Sequence, residues 1–239
     1  MPELSEKRID VWFWSLDAAA ELSASLSELS HDERIRADRL QQPLDRQRFL
    51  AARNGLRRIL SRYLDCAPEE LAFRLGAHGK PAIASIDTPI HFNLSHSFGA
   101  AALAVTGAGD VGIDIEYVRL VETDIDSLFT DAERSCIAAA PPSDHQHAFL
   151  RCWTRKEAVI KALGSGFQYD LQSIEVTVAA TEAPRIVRLD HAPGDLPNWS
   201  LHHLDHDPGI IGALAVRTPS TAIATFLEGP PLPPLDRSL

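Results

Sequence analysis

Apolar and polar positions along the chain change period several times, and each change predicts an element. "IDVWFWSL" (9 to 16) reads as a strand, and "SHDERIRADRL" (30 to 40) as a short helix capped by Ser30. From Asp45 to Leu64, Phe49, Ala52, Leu56, Ile59, Leu60 and Tyr63 recur at helical spacing, with Arg53 and Arg57 on the edge of the apolar stripe. Short strands follow in "LAFRL", in "PAIAS" after the turn "AHGK", in "IHFNLSH" and in "AAALAVT". The second half repeats this order. "VGIDIEYV" is a strand, a long helix runs from about Asp144 to Leu163, and "SIEVTVAA", "RIVRL", "WSLHHLD" and "IIGALAVRT" close the series. The tetrapeptide Ala102 to Val105 recurs as Ala213 to Val216. These features predict an α+β protein, a pseudo-dimer of two similar α/β halves (1–110 and 111–228) with a cleft between them. The proline-rich tail (229–239) has too little apolar material to pack and is expected to be extended or disordered.

Composition narrows the class. Of the 239 residues, 45% are hydrophobic and 23% charged, ordinary globular values. The longest nearly apolar stretch, "FGAAALAV", is far shorter than the roughly 20 residues that span a bilayer. The N-terminus has no signal-peptide pattern, so a cytoplasmic, non-membrane protein is expected. Cys66, Cys136 and Cys152 are odd in number and far apart, which suggests buried free thiols. The net charge of −10 argues against general nucleic-acid binding. Between Arg34 and Arg62, however, nine arginines stand against two aspartates, enough for a solvated helix face or a small polyanionic ligand.

"TGAGDVGIDIE" (106 to 116) contains the G-x-G-x-x-G of a dinucleotide loop, but the residues after Gly112 alternate and are β-branched. A phosphate-binding loop needs a helix there, so these glycines instead make a turn between strands. In the strand, Asp114 and Glu116 share one face and Ile113 and Ile115 the other. Two carboxylates about 7 Å apart at Cα fit a solvated acidic face or a site for a divalent ion. On the long helix, Trp153, Glu157 and Lys161 form a row along the border of the apolar stripe, which fits a simple surface pair. Lys156 falls near the middle of the stripe, where a lysine must snorkel or meet an anion. "HHLDHDPG" (202 to 209) reads as a hairpin turn rather than a zinc site, because His202 and His203 face opposite sides of a strand.

Taken in order, "ERIR", "GKP" (79 to 81), "FNLSHS" (92 to 97), "GIDIE" (112 to 116) and "WTRKEAVIKALGSGF" (153 to 167) resemble the Sfp-type 4′-phosphopantetheinyl transferases over nearly the whole chain. The resemblance implies a pseudo-dimeric fold with the active site at the interface of the halves. It also implies an Mg²⁺-dependent enzyme that moves the phosphopantetheine arm of coenzyme A onto a serine of an apo acyl or peptidyl carrier protein, releasing adenosine 3′,5′-bisphosphate. By motif, Asp114, Glu116 and Glu157 are the implied metal ligands. Glu157 is the implied acceptor of the serine proton, with Glu116 as runner-up, and Lys161 holds the phosphate. Arg36, Arg53, Lys80, Ser95 and His96 are the implied contacts of the coenzyme's adenine and 3′-phosphate, so that the first half carries the nucleotide and the second the metal and catalytic helix.

The sequence departs from the pattern at Glu33 and Phe49, which stand where some members place further basic contacts. Carrier proteins are acidic, as this chain is, so docking through a mainly apolar patch is expected. Two internal halves already build the cleft, so a monomer suffices. A metal-dependent hydrolase of coenzyme A or nucleotide pyrophosphates would use the same carboxylates. A non-catalytic binding protein would need a broken metal triad or a missing lysine, and neither is seen.

Overall fold

The computed structural model describes residues 8–17, 26–84, 88–119, 128–164, 170–204, 207–219 and 222–227. The tail 229–239 and the end of the helix motif at 165–167 lie outside them. The first half contains β1 (Arg8–Ser15), α1 (His31–Asp38), α2 (Pro43–Leu64), a small hairpin of β2 (Phe73–Leu75) and β3 (Pro81–Ile83), and β4 (His91–Ser97) with β5 (Ala100–Thr106). The second contains β6 (Val111–Tyr117), α3 (Asp131–Ala139), α4 (His145–Leu163), a pair formed by β7 (Ile174–Val176) and β8 (Ile186–Leu189), then β9 (Ser200–Leu204), β10 (Ile210–Val216) and β11 (Ala222–Leu227).

The sheets bear out the α+β reading and the repeated order. One sheet runs β11-β1-β5-β4 and the other β6-β10-β9, so β1, β5 and β4 have the same neighbours as β6, β10 and β9. The repeated tetrapeptides sit in β5 and β10, the strands flanked on both sides within each half. β11 is the exception. It pairs with β1 in parallel, from Arg8 opposite Ala222 to Phe13 opposite Leu227, and so carries the end of the second half back into the first half's sheet. The two main sheets thus divide in sequence between β5 and β6, with β11 on the far side of that division.

Alternation along the strands builds the layers. Trp12 and Trp14 of β1, with Ala101, Leu103 and Val105 of β5, pack on Leu56, Ile59 and Leu60 of α2. Val11, Phe13, Ala102 and Ala104 point the other way, onto Ile113, Ile115, Leu214 and Val216 of the second sheet. That sheet's outer face, with Ala213, Ala215 and Leu201, packs on Cys152, Val159 and Ala162 of α4. The order is helix, sheet, sheet, helix, which is why β5 and β10 are buried along their whole length.

Caps set the helix ends. Ser30 Oγ accepts the Glu33 amide at 3.2 Å while Glu33 Oε2 accepts the Ser30 amide at 2.9 Å. Thr130 and Glu133 form the same capping box on α3, a helix the periodicity did not reveal. α4 stops at Gly164, whose φ of 68° closes the last turn on Ile160 O. The "HHLDHDPG" segment is a hairpin between β9 and β10, with Asp205 and His206 outside the described residues. The three cysteines are free.

Candidate active site

The site lies where β4, β6 and α4 meet. Gly112 makes this approach possible: a Cβ there would overlap backbone atoms of Ala158, Lys161 and Ala162. The glycine of "GIDIE" thus serves helix packing, not phosphate binding. With α4 this close, Glu157 and Lys161 come beside the acidic face of β6.

Lys161 Nζ donates to Asp114 Oδ1 at 2.6 Å and to Ser95 Oγ at 3.2 Å. Asp114 is 4% exposed, and its second oxygen, Oδ2, is buried without a hydrogen-bond partner. Burial pushes the Asp114 carboxyl above its usual range, against the pull of Lys161. Burial also raises Glu116, whose Oε2 accepts Ser97 Oγ–H at 2.7 Å. Glu157 is raised to about 7, first by burial and then by the charge of Asp114. Asp114 raises Glu116 and Glu157, and Glu116 raises Glu157, so the site is deficient in positive charge.

That deficiency is the basis for testing a metal. Among the described residues, no three His, Cys, Asp or Glu side chains are arranged as a ready-made ion site, and Lys161 already engages Asp114 Oδ1. The donor chemistry fits a hard divalent cation nonetheless. All three groups are carboxylates, and the unpartnered Asp114 Oδ2 is a buried acceptor with no other use. Asp114, Glu116 and Glu157 are therefore the candidate ligands for one.

A hollow of about 200 Å³ opens beside Glu157 and Lys161, walled by Lys80, Asn93, Ile160 and Gly164. At Gly79 and Pro81 it meets a larger cleft of about 500 Å³, bounded by Arg36, Phe49, Arg53 and Phe73. The Arg36 guanidinium lies over the Phe49 ring at 5.2 Å and that of Arg53 over Phe73 at 5.3 Å. Glu33 holds the Arg53 Nε at 2.6 Å and the Arg57 Nε at 2.7 Å, so much of the positive charge here is already balanced.

The remaining sequence-derived candidates divide. Lys80 reaches inward, its Nζ on Val111 O at 2.9 Å and Ala162 O at 3.2 Å, with its pKa lowered by burial. It pins the "GKP" turn to both β6 and α4. Ser95 and His96, both implied contacts of the coenzyme, point apart because neighbours on a strand face opposite ways. Ser95 is buried on Asp114 and Lys161, whereas His96 is exposed. The protein packed around His96, then Lys161 and Arg36, holds its pKa below the usual histidine value.

Two residues were missed from sequence. Asn93 Oδ1 accepts the Ile113 amide at 2.9 Å and Ser97 Oγ the Tyr117 amide at 3.3 Å. Their signal was present in "FNLSHS", where Asn93, Ser95 and Ser97 alternate onto one face.

Comparison with known proteins adds an independent line. Residues 110–216 match the family model described as the 4′-phosphopantetheinyl transferase superfamily. The chain is similar to the 4′-phosphopantetheinyl transferase HetI of Nostoc sp., 36% identical over 220 residues that cover 89% of each chain. It is 31% identical over 196 residues to the 4′-phosphopantetheinyl transferase psf-1 of Bacillus pumilus, covering 81% of each. Among solved structures, holo-[acyl-carrier-protein] synthase of Thermotoga maritima matches with a TM-score of 0.37 and 21% identity, over 46% of this chain and 63% of that one.

Proposed function

The chain belongs to the 4′-phosphopantetheinyl transferase superfamily, and on that premise we propose that it takes its phosphopantetheine arm from coenzyme A, works with Mg²⁺, and delivers the arm to a serine of an apo acyl or peptidyl carrier protein. The observation that carries this reading is Glu157, a buried carboxyl with a pKa of about 7, standing beside the Lys161–Asp114 pair at the mouth of a hollow.

That value belongs to the protein without a cation; a cation held there favours the carboxylate, the form of Glu157 that accepts a proton. In the proposed step the serine Oγ bonds to the β-phosphorus of coenzyme A, and the bond from that phosphorus to the bridging oxygen breaks. Adenosine 3′,5′-bisphosphate leaves with the electron pair, and the serine proton passes to Glu157, with Glu116 the second candidate. Lys161 carries an ammonium group at the same place, able to donate to a phosphoryl oxygen as charge builds there. Mg²⁺, when held by Asp114, Glu116 and Glu157, supplies the positive charge that neutralises the diphosphate.

The cleft of Arg36, Phe49, Arg53 and Phe73 suits the nucleotide end, because it offers guanidinium groups and aromatic rings together. His96, on the exposed side of β4, adds a polar contact, and Lys80 sets the turn between cleft and hollow. We place the enzyme in the cytoplasm as a monomer, since one chain supplies both sheets of the site. Incubation with coenzyme A, Mg²⁺ and an apo carrier, followed by intact-mass analysis, tests this reading. The carrier gains one phosphopantetheine; release of free phosphopantetheine phosphate with an unlabelled carrier points instead to a hydrolase.

A further inference from the structure

β4 and β6 are edge strands of different sheets, yet they run side by side without a main-chain ladder. β6 bonds to β10 through one set of its amides, and the alternate set, on Ile113, Ile115 and Tyr117, faces β4. Those amides donate to side chains: Asn93 Oδ1 at 2.9 Å, Ser95 Oγ at 3.3 Å and Ser97 Oγ at 3.3 Å, each 20 residues upstream of its donor. Side-chain oxygens at i, i+2 and i+4 therefore stand in for main-chain carbonyls. An edge that would otherwise leave three buried amides unpaired is closed by them.

A main-chain carbonyl can only accept. A serine hydroxyl accepts and also donates one proton. Because the Ser97 hydroxyl takes the Tyr117 amide on its lone pair, its proton is left to Glu116, and the Oγ to Oε2 distance is 2.7 Å. Ser95 does the same with the Ile115 amide and Asp114 Oδ1, at 3.1 Å. Asn93, the third rung, holds its amide in the same way, and no bond joins it to a carboxylate among those of the described residues. The seam thus does two things at once: it joins the halves, and it aims the carboxylates of β6. Ser95 is already tied to Lys161, so its two effects cannot be separated by substitution. Ser97 has no such tie to the ammonium.

We propose that Ser97 is a positioning residue, fixing the rotamer of Glu116 by a hydroxyl whose direction the Tyr117 amide sets. This rests on the reading of Glu116 as part of a cation-binding carboxylate set. Ser97→Ala leaves Glu116 free to rotate, and Ser97→Thr keeps the hydroxyl. A hydrogen bond to a charged group of this kind is worth about tenfold or more in an equilibrium.

The test measures two quantities on wild type, Ser97→Ala, Ser97→Thr, Glu116→Gln and the Ser97→Ala/Glu116→Gln double variant. The first is kcat and KM for coenzyme A in carrier labelling. The second is the Mg²⁺ concentration giving half of the maximal rise in thermal unfolding temperature, without coenzyme or carrier. Ser97→Ala is expected to lower kcat about tenfold with KM little changed, and to raise the half-saturating Mg²⁺ about tenfold. Ser97→Thr should restore both, and Ser97→Ala should add nothing once Glu116 is Gln. Wild-type values for Ser97→Ala, failure of Thr to restore them, or a full further loss in the double variant overturns the proposal. If the alanine variant does not fold, Ser97→Cys, near in size but a weak donor, is expected to show the same losses. Absence of labelling by the wild type would overturn the transferase reading itself, while an unaltered Ser97→Ala beside an active wild type would overturn only the role of Ser97.

Discussion

Lys161 Nζ sits 2.6 Å from Asp114 Oδ1, a contact made across the seam between a helix and a strand 47 residues apart in sequence. It places an ammonium against the most buried of the three site carboxylates. Lys161→Met and Asp114→Asn are each expected to lower kcat about 10²–10³-fold, the usual loss when one charge-stabilising group is removed from an active site. Circular dichroism should remain native. Turnover near wild type from either variant would remove that residue from the chemistry.

The Glu157 pKa of about 7 has a consequence for stability in metal-free protein. Its folded value lies above the ordinary glutamate value of 4.5, so between these limits the folded state binds more protons than the unfolded chain. The stabilisation is full below about pH 4.5 and is lost as the pH rises through about 7. Asp114 and Glu116, also raised, act in the same direction. Urea unfolding in chelator from pH 5 to 8.5 should show stability falling by a few kcal/mol. Glu157→Gln should flatten the slope, and a rise in stability with pH across this window would contradict the reading.

Lys156 and Glu133 form a fully buried pair, Nζ to Oε2 at 2.6 Å, with the Ile174 carbonyl on the same ammonium at 2.7 Å. Glu133 also caps α3 and accepts the Val176 amide, so one carboxylate ties α3, α4 and β7 together. Removing one partner strands the other charge in the core. Lys156→Met should destabilise by about 3–5 kcal/mol, and the Lys156→Met/Glu133→Gln double variant by less than the two single losses added. Chemical denaturation measures both.

Gly112→Ala is expected to cost about 1–3 kcal/mol, the range for overpacking, and more if α4 cannot shift. The added methyl meets backbone, not a flexible side chain. Displacing α4 moves Glu157 and Lys161 together, so kcat should drop in a variant whose substitution touches no ionisable group.

What could be read from sequence was mostly what depends on local period. The helical stripes, the alternation that puts Asp114 and Glu116 on one face, and the strand after the three glycines all follow from neighbours in the chain. The place of Lys156 in the apolar stripe left snorkelling or an anion open, and the anion could not be named because Glu133 lies 23 residues away on a helix recognisable only by its Thr-x-x-Glu cap. β11 went unseen because it is partly exposed and pairs with a strand more than 200 positions earlier. Ser95 and His96 are neighbours in the motif, but a strand turns successive side chains to opposite faces, and which of them meets Asp114 depends on how β4 packs on β6. Glu33 was noted as a departure, but its grip on Arg53 and Arg57 needed the packing of α1 on α2 to be known.

The return of β11 to the flank of β1 bears on how the molecule is born. While the chain leaves the ribosome, the opening half can gather its two helices and three strands of its main sheet, but the fourth strand of that sheet is synthesised only after the rest of the second half. Until then one side of β1 waits without its neighbour. Severing the gene midway would give an amino-terminal fragment with that side permanently bare, prone to recruit a foreign strand.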